Sequence, residues 1–194
     1  MPRPTRAELD EEIVEAAAEL FTTRGYRGTS VQEIADRVGY SKTGLLHRFP
    51  SKERLLAATL TGPLTEFAAL RATWDALPEG PERHRRASAD LVDLALRHRS
   101  RLALLFNSGL PVLPGALAGV EGMGDLGDHR TETLAAFADA DDLAGTIRAQ
   151  LAVTGLLSTV AARQDVPDEL LRAPLLEAFR AACGIRAQHE GAAR

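Results

Sequence analysis

The sequence predicts an all-α chain in two parts, a three-helix head over residues 1–60 and a larger helical body over residues 61–194. Three observations carry that expectation. Apolar residues recur at helical spacing along most of the chain, and no segment shows the period-two alternation of a half-buried strand. Serines stand immediately before several of the periodic runs, where a hydroxyl satisfies the orphan N–H groups of a first helical turn. Glycine and proline punctuate the runs at Gly25, Gly39, Pro50 and Gly62-Pro63.

The first element is expected over residues 7–24, with Leu9, Ile13, Ala16, Ala17 and Leu20 on one face and Gly25 as its stop. Gly28-Thr29 continues the loop into Ser30, which caps a second helix, and Glu33 is placed to reach back and complete a capping box. Val31, Ile34, Ala35 and Val38 fall at i, i+3, i+4 and i+7, so one face is buried, and Gly39 ends the helix. Ser41 then caps a third helix whose Leu45 and Phe49 pack back on the second, leaving Lys42, Thr43, Gly44, His47 and Arg48 outward. Two short helices joined by a glycine turn, the second presenting basic, polar and small groups, have the layout of a DNA-reading helix-turn-helix at residues 30–49. Pro50 interrupts the chain and Ser51 caps a fourth helix from Lys52 to about residue 77, expected to be broken or bent near Gly62-Pro63.

The run AAAELFTTRGYRGTSVQEIADRVGYSKTGLLHRFPSKERLL resembles the N-terminal domain of the TetR (tetracycline-repressor) family of bacterial transcription regulators. The shared positions include Leu20-Phe21, Gly25, Thr29-Ser30, Ile34-Ala35, Gly39, Ser41-Lys42, Leu45, Phe49 and Ser51-Lys52-Glu53, spread over roughly the first 60 residues. Gly44 stands where threonine is frequent in the family, and Leu46 where tyrosine is frequent. No phosphate or stacking contact is therefore carried over to Leu46, and His47 and Arg48 are candidates to grip the backbone instead. The candidate DNA-contacting residues are Ser30, Gln32, Tyr40, Ser41, Lys42, Thr43, Gly44, His47, Arg48 and Lys52. Lys42 suits guanine O6 and N7, and Thr43 a thymine methyl.

The body is expected to form helices over residues 81–99, 100–107, 128–138, 141–164 and 168–187, with the glycine- and proline-rich stretch 109–127 as a loop. Its last two long helices carry more apolar surface than one small body needs. In the TetR family such helices pair across a two-fold axis, so the resemblance implies a homodimer, with Leu156, Val160, Leu175 and Phe179 as interface residues; the alternative is that the stripe is simply the core of one chain. Gly155, Ser158 and Ala162 are small residues that permit close helix approach. The resemblance also implies a pocket for a small-molecule effector. Trp74, Phe106, Asn107, Phe137, Gln150 and Thr154 are the candidate lining, as aromatic or isolated polar groups in apolar stretches.

The formal charge of −4 looks adverse for a DNA binder, but it is unevenly placed. Residues 1–60 hold nine Lys and Arg against nine Asp and Glu, whereas residues 39–54 hold four cations against one acid. So few phosphate contacts per head imply weak binding by one chain and hence a dimer on a palindromic operator.

Other chemistries find little support. Gly122 to Gly127 spell G-x-G-x-x-G, but no strand is expected before them, so a loop is the better account than a nucleotide site. The histidines lack metal-ligand spacing, and Cys183 is the single cysteine and reads as a small buried hydrophobe. Arg83-His84-Arg85-Arg86 reads as a solvated helix face. Asp141-Asp142 and Asp168-Glu169 sit at helix starts, where negative charge is stabilising. No hydrolase, metalloprotease or phosphate-loop motif is found. No run of about 18 uncharged apolar residues and no signal-type N-terminus are found either. The expectation is a cytoplasmic bacterial repressor that binds double-stranded DNA as a homodimer and is released by an effector, with no cofactor, metal, enzymatic activity or membrane partner. An enzyme carrying an incidental DNA-binding head and a ligand-insensitive architectural protein are the alternatives.

Overall fold

The computed structural model describes residues 5–107, 133–138 and 141–185, without the side chains of residues 103 and 105–107. The stretch 109–127, the start of the helix expected from residue 128 and the ends of the chain lie outside the described residues.

The described residues form an all-α fold with no strand. The order is α1 Arg6–Arg24, α2 Val31–Arg37, α3 Lys42–Arg48, α4 Lys52–Asp75, α5 Pro81–Arg97, α6 Arg99–Asn107, α7 Leu143–Ala162 and α8 Asp168–Cys183. Local chemistry sets the boundaries. Ser30 and Glu33 form the full capping box, Glu33 N–H donating to Ser30 Oγ at 3.2 Å and Ser30 N–H to Glu33 Oε2 at 2.7 Å. Ser41 and Ser51 accept from Gly44 N–H at 3.0 Å and Arg54 N–H at 3.2 Å. Asp142 caps α7 through Gly145 N–H at 2.9 Å. Gly39, between α2 and α3, has φ +70°, a conformation that costs glycine almost nothing.

Two apolar clusters hold the chain. One joins Ile13, Ala17, Phe21, Ile34, Leu45, Leu55 and Leu56 from α1 to α4. The other joins Phe67, Trp74, Leu91, Val92, Leu156, Val160, Leu175 and Phe179 from α4, α5, α7 and α8. Helix α4 takes part in both. Of the break or bend expected near Gly62-Pro63, the break does not occur: the helix is continuous through both residues. Pro63 is buried, and its missing N–H deprives only the Thr59 carbonyl of its i+4 donor.

A five-residue segment, Arg97 to Arg101, ties the two clusters together. Arg97 and His98 both reach Glu66 on α4, His98 Nε2 at 2.7 Å. Arg99 donates to the carbonyls of Arg163 (3.0 Å) and Val166 (2.7 Å) in the α7–α8 turn and pairs with Asp168. The Ser100 carbonyl accepts from Thr22 Oγ1 of α1 at 3.0 Å. Arg101, 4 % exposed, pairs with Glu15 at 3.0 Å and with Glu11, both on α1. A Cβ on Gly62 would lie 3.1 Å from the Arg101 guanidinium, so the glycine gives that side chain its passage past α4.

Candidate nucleic-acid interface

The first turn of α3 stands free. Ser41, Lys42, Thr43 and His47 are exposed, and Lys42 has no ion-pair partner among the described residues. Leu45, fully buried, pins the helix to α2 through Ile34 and Ala35 of the same cluster. Gly44 lies inside α3 without a positive φ, so its backbone does not require glycine. Ser30 is exposed at the start of α2, and Gln32 beside it donates to Asp36 at 2.7 Å, a contact it must release to reach a base.

Arg48 does something other than expected. Its guanidinium pairs with Asp10 of α1 at 2.6 Å and lies 5.7 Å from the Tyr40 ring centroid, with only 17 % of the side chain exposed. It braces the end of α3 against α1. Tyr40, half-buried under Arg48, belongs to the same brace. Arg24 and Arg37 are likewise committed, to Glu33 at 2.6 Å and Glu19 at 2.9 Å. The cations of the head without an ion pair among the described residues include Arg27 in the α1–α2 turn, Lys42 on α3, and Lys52 and Arg54 at the start of α4. Lys52 is half-buried, its ammonium 4.2 Å from the centroid of the Tyr26 ring. Burial pulls the Lys52 pKa below the ordinary lysine value, partly offset by Glu53 and Glu33.

The cap of α2 is sensitive to acid. Hydrogen bonds from the Ser30 backbone and hydroxyl hold the Glu33 carboxyl below its usual 4.5. A depressed folded-state pKa means stability present above 4.5 and lost as pH falls through the folded value. Glu33→Gln keeps the capping geometry without the titration, so its acid-melting curve is expected to lose that component below 4.5. Parallel pH-dependent melts of the two proteins check this.

Of the six residues expected to line an effector pocket, the four whose side chains are described, Trp74, Phe137, Gln150 and Thr154, do not border one common cavity. Trp74 is sealed in the core, its Nε1–H donating to Asp90 at 2.8 Å. Gln150 and Thr154 face outward on α7, and the Phe106 and Asn107 side chains lie outside the described residues. Phe137 borders a cavity of about 720 Å³, with Arg83, His84, Arg148, Asp142 and Cys183. Arg83 to Arg85 are thus half-buried walls and not a solvated face, with only Arg86 exposed. Of the cavity's cations, Arg83 pairs with Asp75 and Arg148 lies 3.6 Å from Asp142, while Arg83 Nε is buried with no hydrogen-bond partner.

The expected interface residues also move. Leu156, Val160, Leu175 and Phe179 are buried in the chain's own core, where Phe179 stacks edge-on to Phe137 at 5.0 Å. Leu156, Leu175 and Phe179 form the floor of a shallow groove whose rim includes exposed Leu151 and Gly155. The opposite face of the same helices is the open one: Leu143, Ile147, Leu151 and Leu170 are 73, 49, 67 and 66 % exposed. Gly155, Ser158 and Ala162 lie on that open side, as close helix approach requires.

Residues 13–59 match the model of a family described as bacterial regulatory proteins, tetR family. Over 48 residues the chain is 48 % identical to the HTH-type transcriptional regulator RutR of Escherichia coli K12, covering 25 % of this chain and 23 % of RutR. Over 51 residues it is 43 % identical to the HTH-type transcriptional repressor KstR2 of Mycobacterium tuberculosis, covering 26 % of each. The matched stretch spans about a quarter of the length of these curated relatives. The solved structure of M. tuberculosis KstR2 superposes with a TM-score of 0.60 at 21 % identity, over 91 % of this chain and 95 % of that one. A crystal structure of AibR in complex with isovaleryl coenzyme A and operator DNA gives 0.64 at 22 % identity, over 87 % and 96 %. At these identities the whole-chain likeness is one of fold.

Proposed function

We propose that this chain, which belongs to the tetR family of bacterial regulatory proteins, is a homodimeric repressor that sits on a palindromic operator and leaves it when a small molecule occupies the body. The observation that carries the reading is the exposed first turn of α3, pinned from behind by Leu45, with Lys52 and Arg54 following in the chain at the start of α4. Base edges are within the scope of Lys42 and Thr43, and phosphates within that of Lys52. Ser30, Gln32, Ser41, Gly44 and His47 remain candidate contacts around them.

The open face of α7 and α8 supports the dimer. Helix α7 is long and apolar enough, by length and composition, to cross a membrane, and only 28 % of it is buried. Its open side, however, carries Arg148 and Gln150 beside Ile147 and Leu151. A charged side chain is costly in hydrocarbon and tolerable at the rim of a protein interface. A second copy of the same face covers the leucines and leaves Arg148 wet.

Release is supported by the Arg97–Arg101 junction, which links the α7–α8 turn, α4 and α1. A ligand that shifts α5 and α6 moves both heads relative to the dimer helices and changes their spacing on DNA. A difference in DNA affinity between the two arrangements is all that release needs.

The phosphate grip is tested by salt titration. Lys52→Ala is expected to weaken binding to every duplex alike and to lower the salt slope by about one unit per head. Lys42→Ala is expected to change base preference at one position of each half-site, by about 1–3 kcal/mol. Fluorescence anisotropy with labelled duplexes at several salt concentrations reads both. Unchanged slope and unchanged preference would remove these lysines from the interface.

A further inference from the structure

Tyr26 is half-buried in the turn between α1 and α2, and its ring is fixed at both ends. One face packs on Phe21 of the core, centroids 5.3 Å apart with the planes tilted by 53°. The hydroxyl donates to Glu53 Oε1 at 2.9 Å. The ammonium of Lys52, the residue that opens α4, lies 4.2 Å from the ring centroid, well inside the range of a cation–π contact. Three groups next to one another in space, from two separate turns of the chain, thus fix one another.

From this geometry we infer that Tyr26 is a positioning residue for DNA binding, its ring seating the Lys52 ammonium and its hydroxyl tethering the neighbouring Glu53 carboxylate. The inference rests on the DNA-binding reading of the head. A lysine at a helix start ordinarily samples many rotamers and is fully hydrated, and docking on a phosphate must order it and strip part of its water. Over the Tyr26 ring, Lys52 has already lost both freedoms in part. Its depressed pKa, caused first by burial, is the sign of that lost water. Glu53 is the acid closest in sequence to the grip. Bonds from its own backbone, Ser51 and Tyr26 hold it ionised in one place, the Tyr26 contribution being the one from outside α4 and its cap. Burial and the adjacent Glu53 carboxylate push the Tyr26 hydroxyl far above its ordinary pKa, so it stays a donor across the physiological range.

The chain holds only two lysines, Lys42 and Lys52, so lysine labelled at Cε gives two resonances, with exposed Lys42 as the internal reference. The ring current of Tyr26 is expected to move the Lys52 Cε protons upfield of those of Lys42. Tyr26→Phe should preserve that shift and Tyr26→Leu abolish it. Binding is read with a generic duplex of mixed sequence, since a phosphate contact needs no operator. Tyr26→Leu is expected to weaken binding about three- to fivefold in the parent chain and to have no further effect in a Lys52→Met background. Tyr26→Phe, which keeps the packing on Phe21, is expected to lose less than Tyr26→Leu. Equal losses in both backgrounds would make Tyr26 a merely structural residue and overturn the inference. So would coincident lysine resonances, or full affinity in Tyr26→Leu. A parent chain that binds no duplex at all would instead overturn the DNA-binding reading beneath it.

Discussion

Arg101→Met is expected to lower the melting temperature by about 4–8 °C and to let the N-terminal helices melt ahead of the body. The guanidinium is 4 % exposed and bridges α6 to Glu11 and Glu15 of α1. Methionine fills much of the space but leaves both carboxylates without their cation. Their side chains are 66 and 46 % exposed, so water partly compensates and the loss stays well short of a fully buried broken pair. About 2 kcal/mol is the expected scale for charge-assisted hydrogen bonds of this kind, and for a chain of this size each kcal/mol moves the midpoint by about 2–4 °C. Differential scanning calorimetry, with hydrogen exchange in α1, makes the check. A single transition at the parent temperature would show that head and body are held together by apolar packing alone. Because the same residue lies against Gly62, the variant is also expected to weaken any ligand-dependent change in DNA affinity.

Leu151→Glu is expected to convert the dimer to monomers without lowering the stability of the single chain. Leu151 is 67 % exposed on α7, so its replacement leaves the core intact. In an isologous interface the same residue is presented by both copies, and two new carboxylates oppose each other near the axis. Weakening of association by a hundredfold or more is expected, read by sedimentation at micromolar concentration. Leu156→Glu makes the contrast. Only 4 % exposed, it would bury a carboxylate among Val92, Leu175 and Phe179 and is expected to prevent folding. The reverse pattern would restore Leu156 to the interface and remove the open face from it.

Helix α7 also shows where sequence reasoning reaches its limit. Leu143, Ile147 and Leu151 on one side and Leu156 and Val160 on the other are all aliphatic, so periodicity marks a helix without saying which side meets its own chain. The head was legible because its signals are short-range. Ser30 and Glu33, Ser41 and Gly44, and Ser51 and Arg54 are each three residues apart, and Gly39 declares its own backbone conformation. Arg48 and Arg101 were not legible as braces, because their partners lie 38, 86 and 90 residues away. An isolated polar group in an apolar stretch is an equally ambiguous signal. Among the described residues, Gln150 and Thr154 face outward on α7, where a polar side chain needs no cavity to explain it. Pro63 by itself predicts a break or a bend, yet α4 stays continuous because its flanking turns are buried in both clusters, and that packing outweighs one missing hydrogen bond.

The central claim is that two copies of this chain read a two-fold DNA site through the first turn of α3. Selection of bound duplexes from a randomised pool by the full chain, followed by sequencing, tests it most directly. The account predicts enrichment of a palindrome whose half-sites lie about one helical turn, or a small multiple of it, apart, and loss of that enrichment in Lys42→Ala, Thr43→Ala. A pool that stays random, or the same enriched sequence from the double variant, would contradict it.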